Sequence, residues 1–72
     1  MPEIPNLQWE RNKFGGWEAW HAPNGATHRR EKTYLGHLGK RQLRRWGREA
    51  PEEFRRLVCE WIAEKRTEKG IR

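Results

Sequence analysis

The chain has a single cysteine, Cys59, which excludes an intramolecular disulfide. It has no CxxC, HxxxH or HExxH pattern, and His21, His28 and His37 are spaced too widely for a compact metal-ligand motif. A glycine-rich phosphate loop is missing too, because "GHLGK" lacks the Walker spacing and its Ser/Thr. No stretch nears the roughly 20 apolar residues that span a bilayer. The start "MPEIPNLQW" has neither the basic head nor the apolar run of a signal peptide. No motif gathers a nucleophile, a base and oxyanion donors. The expectation is a cytoplasmic protein that is not an enzyme, with no cofactor, metal, membrane or small-molecule substrate.

Apolar residues are scarce as well, at 33% of 72 residues against 36% charged. A chain this short and polar forms one small domain around a thin core. Trp9, Trp17, Trp20, Trp46 and Trp61 offset the scarcity, since each aromatic buries a large area; one or two remain for function. Acidic residues are the minority, 10 against 16 Lys and Arg, for a net charge of +6 and a pI of about 10.3. That balance serves solubility, and it also points to a polyanionic partner, nucleic acid first.

Along the chain, residues 1–6 hold two prolines and read as a flexible N-terminal arm, with Ile4 or Leu7 anchoring its end. Residues 7–72 form the single domain. Residues 7–13 read as a first strand, ended by the turn signal "FGG". "WEAWHA" is a second strand and "ATHRREKTYL" a third, joined by "APNGA" as a three-residue hairpin loop. That loop predicts Trp20 opposite His28 and Glu18 opposite Arg30, which also avoids a Glu18–Glu31 pair. One face then carries Glu18, Trp20, His28, Arg30, Lys32 and Tyr34; the other carries Trp17, Ala19, Arg29, Glu31 and Leu35.

"KRQLRRWGR" predicts a short basic helix over residues 40–48, with Leu43 and Trp46 inward. From Pro51, Phe54, Leu57, Val58, Trp61 and Ile62 recur at helical spacing up to a stop at Gly70. The predicted architecture is α+β: a three-stranded antiparallel sheet, then the short basic helix and a long C-terminal amphipathic helix packed on the Trp17/Ala19/Leu35 face. The opposite face stays open.

Two features carry binding chemistry. On the open face, Arg30 and Lys32 suit phosphate contact, with His28 beside them and Trp20 or Tyr34 able to stack on a base or sugar. A ribbon of this kind suits the DNA major groove, and exposed aromatics suit single strands or RNA. In the basic helix, Lys40, Arg41, Arg44 and Arg45 share one side without a nearby acid, and the helix-start amides add to the attraction for phosphate. The long helix balances its charges and reads as scaffold.

The run "GGWEAWHAPNGATHRREKTYLGHLGKRQL" resembles the arm-type, AP2-like DNA-binding domain of tyrosine recombinases (phage integrases). The shared parts are an aromatic strand, a Gly-containing turn, a basic strand, an exit at Gly36 and a following helix. The resemblance covers roughly residues 16–45 and implies a sheet inserted in the DNA major groove, with Trp20, Arg30 and Lys32 as contacts. Two helical segments follow the sheet here instead of one, and the expectation is a free-standing module without a recombinase catalytic domain, such as an excisionase-like or regulatory factor. The expected function is non-catalytic nucleic-acid binding, duplex DNA ahead of RNA. The rival expectation is a small protein-interaction module, such as a phage- or plasmid-type inhibitor docking through exposed Trp and Arg.

Overall fold

A computed structural model describes residues 1–71; Arg72, the last residue of the expected domain, lies outside the described residues. Strands β1 (Leu7–Arg11), β2 (Trp17–His21) and β3 (Thr33–Leu38) form an antiparallel meander in that order, followed by helices α1 (Lys40–Glu49) and α2 (Phe54–Glu68). This is the α+β order the sequence predicts. None of the described helices is long and apolar enough to cross a membrane.

The "FGG" turn forms as expected. The Asn12 side-chain oxygen accepts hydrogen bonds from the amides of Phe14 and Gly16, both at 2.9 Å. A Cβ at Gly16 would sit 2.5 Å from the Leu38 carbonyl oxygen, so only glycine lets this turn rest against the end of β3.

The β2–β3 connection departs from the predicted hairpin. "APNGA" does close a turn, Pro23–Gly25, with the Ala26 amide donating to the Pro23 carbonyl at 3.1 Å. However, the chain does not pair back there. A second single turn spans Arg29–Glu31, and pairing resumes only at Thr33. Trp20 therefore lies opposite Tyr34, and Glu18 opposite His37, in place of His28 and Arg30.

Burial decides this register. "THRREK" offers the core nothing apolar, whereas Leu35 and Leu38 are both buried. Regular alternation would send residues three apart to opposite faces. A bulge between the partners of Ala19 and Trp20 leaves Leu35 as the extra residue, and that shift turns both leucines to the covered side. The competing hydrogen bond also helps: the Ala22 amide donates to the Asn6 carbonyl at 2.8 Å, not to residue 26.

Ala19, Leu35, Leu38, Val58 and Ile62 form the buried centre, so α2 covers the Ala19 face as predicted. The core is aliphatic, with Trp9, Trp46 and Trp61 packed around it as half-buried flanks. Gly36, opposite Ala19, sits at φ 148°, a region glycine favours, and packs beside the Trp61 ring, which a Cβ there would meet at an ordinary contact distance of 3.4 Å. Pro51 opens a single turn, Pro51–Glu53, ahead of the α-helix proper. At the far end the Ile71 amide donates to the Arg66 carbonyl (2.8 Å) and Gly70 to Thr67 (3.0 Å), a Schellman closure whose Ile71 packs on the core.

Both Ile4 and Leu7 pack against the core. Trp9 Nε1 donates to the Pro2 carbonyl at 3.0 Å, and Arg66 donates to the carbonyls of Pro5 (2.7 Å) and Asn6 (3.3 Å). His21 stands near Arg66, and both burial and that positive charge push its pKa below the ordinary 6.5. The folded state thus resists protonating His21 while the unfolded chain does not. Stability is full above pH 6.5 and falls as pH drops from there through the lowered folded pKa. Urea denaturation at pH 8 and pH 5 should show this acid loss, and His21→Gln should shrink it. An unchanged pH dependence in that variant would place the acid sensitivity elsewhere.

Candidate nucleic-acid interface

α1 begins at Gly39 with no side-chain cap, so its first amides have no side-chain acceptor. Leu43 and Trp46 are half-buried against the core and orient the helix. Its outer side is basic. Arg41, Arg45 and Arg48 stand at i, i+4 and i+7 and line a groove of about 310 Å³ with Gln42. Gln42 Oε1 accepts a hydrogen bond from Arg45 at 3.2 Å. Arg44 is exposed, and the Lys40 stem runs beside Gly15 of the first turn.

The expected cluster of Lys40, Arg41, Arg44 and Arg45 is thus held on one helix. Among the described residues, every ion pair lies in α2 or the turn leading into it: Arg56 with Glu53 and Glu60, and Lys65 with Glu68. The cations of α1 form no ion pair there, and the one acid of the helix, Glu49 at its end, leaves most of their mutual repulsion uncompensated.

The sheet side is built differently from the expectation. Trp20 and Tyr34 do share a face, meeting edge-on with ring centres 5.1 Å apart. Lys32 lies 5.9 Å above the Trp20 ring. His28 and Arg30 are not on a strand; both are exposed in the 22–32 connection. Arg29, expected on the covered face, instead reaches over Trp20 at 5.5 Å. The connection folds back over the open face, where Gln8 Nε2 donates to the Ala26 carbonyl at 2.7 Å. Burial and the Glu18 carboxylate push the Tyr34 phenol above its ordinary 10.0, so it remains a neutral hydroxyl at physiological pH.

The two basic features are therefore separate surfaces. β3 separates the 28–32 segment from α1, and Glu10 stands opposite Glu18 on the open face. Sequence reasoning missed two residues. Arg48 extends the arginine row and was legible as the i+7 partner of Arg41. Phe14 is 76% exposed at the tip of the first turn with Lys13 over its ring at 5.3 Å, and a lone aromatic before "GG" was its signal. Among the described residues, no group of three His, Cys, Asp or Glu is placed to hold a metal ion. No family model, curated protein or solved structure matches the chain.

Proposed function

We propose that the protein is a non-catalytic nucleic-acid-binding module that grips a phosphate backbone with α1, duplex DNA ahead of RNA. The observation that carries this is the row Arg41–Arg45–Arg48, with Lys40 and Arg44 beside it and no acid partner among the described residues. Seven helical residues rise about 10 Å, comparable to about three nucleotide steps along one strand. Guanidinium groups suit phosphate because their planar forks donate two bonds at once. The free amides at the start of α1 add a partial positive charge.

In this reading the helix leads and the sheet does not. A sheet inserted face-first in a groove, as the integrase-arm resemblance implies, would press Glu10 and Glu18 toward phosphates. Arg30 and Lys32 lie beyond that acidic pair, in the connection and at its edge.

A second reading, a protein-interaction module, is favoured by one observation: Phe14, which presents most of its ring to solvent. Salt separates the two. Fluorescence anisotropy of a short labelled duplex, a single strand and an RNA hairpin, each titrated across salt, is the test. Four or five phosphate contacts give a slope of log K against log salt of about −4 on duplex. A response nearly flat in salt would favour the protein-docking reading.

A further inference from the structure

We propose that the protein holds two duplex segments at once, one on α1 and a second on the 28–32 connection, and so bridges nucleic acid. The inference rests on the nucleic-acid reading above. It comes from where the fold puts its two basic surfaces. Leu43 and Trp46 fasten α1 to the core on the Ala19 side of the sheet. Arg29 and Lys32 lie over Trp20, on the other side. A straight duplex cannot rest on opposite faces of one sheet.

The two surfaces are also at opposite ends. The six residues of β3, Thr33–Leu38, intervene between Lys32 and Lys40. At about 3.3 Å per residue that is about 20 Å, more than twice the Debye length of about 8 Å at physiological salt. A backbone neutralising one surface leaves the other unsatisfied. A backbone crossing the open face between them would pass Glu18 on the middle strand, which stands between Glu10 of β1 and His37 of β3.

The second surface is organised before any ligand arrives. Its turn is closed by the Glu31 amide donating to the His28 carbonyl (2.9 Å) and the Lys32 amide donating to the Arg29 carbonyl (3.1 Å). The Trp20 ring holds the heads of Arg29 and Lys32, which limits the freedom they lose on binding. Arg30 is exposed beside them, and Tyr34, 39% exposed, adds a neutral hydroxyl. Glu31 is the one acid in the segment.

The test is capture of a fluorescent duplex by the same duplex fixed on beads, at about 0.1 M salt, alongside solution affinity for one duplex. Wild-type protein should bind one duplex and capture a second. The triple variant Arg29→Ala/Arg30→Ala/Lys32→Ala should lower capture at least about tenfold, while affinity for one duplex falls no more than about threefold because α1 remains. Arg30→Glu, an exposed position with no described side-chain contact, should lower capture in the same direction without disturbing the Trp20 cluster. Binding of one duplex without capture of a second overturns the inference. So does undiminished capture by both variants, which would mean self-association through α1 sites. Absence of any binding by the wild-type protein would remove the nucleic-acid reading itself, and bridging with it.

Discussion

Replacing Arg41 and Arg45 with glutamate is expected to weaken duplex binding at least about a hundredfold near 0.1 M salt, with the fold retained. Each phosphate contact contributes about 0.9 to the salt slope, so losing two flattens it by about 2. Carried from a 1 M reference to 0.1 M, that difference is about two decades in affinity, and the introduced repulsion adds to it. The fold should survive for local reasons. Both side chains are exposed, and the only described side-chain hydrogen bond of the pair is the one from Arg45 to Gln42. Arginine and glutamate have similar helix propensity, and a carboxylate near the first turn favours the helix dipole. Arg55→Glu, on the charge-balanced α2, supplies the control and should change affinity far less. Anisotropy titrations with thermal melts of the same samples check both halves. Wild-type affinity in the double variant would remove α1 from the interface.

Ile62→Ala is expected to destabilise the domain by about 2–5 kcal/mol, the usual range for truncating a buried isoleucine to alanine. A chain of this size has a total stability of only about 4–11 kcal/mol. One methyl-rich side chain is thus a large share of it, and the melting temperature should fall by more than about 10 °C. The site gives no room for compensation: Ile62 is 1% exposed and packed with Val58, Leu35, Leu38 and Ala19. The milder Ile62→Val should cost about 0.5–1.5 kcal/mol. Urea denaturation measures all three proteins. A loss below about 1 kcal/mol for Ile62→Ala would show that the tryptophan flanks, not the aliphatic centre, carry the fold.

Much of the candidate site could be read from the chain because it lies on one helix. Charges at i, i+4 and i+7 share a face whatever the helix packs on, so the α1 row needs no tertiary knowledge. The long helix was legible for the same reason, from the periodicity of Phe54, Leu57, Val58, Trp61 and Ile62. The 28–32 segment was not. Its placement depends on which of two weak preferences wins, the turn chemistry of "APNGA" or the burial of Leu35 and Leu38. A turn signal is local and visible; the requirement that both leucines reach Val58 and Ile62 is not, until α2 lies across the sheet.

Local order in the sequence determined the number and succession of elements, the turn at Asn12 to Gly16, the two helices and their polar and apolar sides. Only the tertiary structure decided the register of β3. It moved His28 and Arg30 off the sheet, brought Arg29 over Trp20, and set the two basic features on opposite faces. The physical reason is burial: only the slipped pairing that starts at Thr33 lets Leu35 and Leu38 reach Val58 and Ile62, and the bulge at Leu35 turns both leucines to that side. The energy therefore comes from a helix some twenty residues further along the chain.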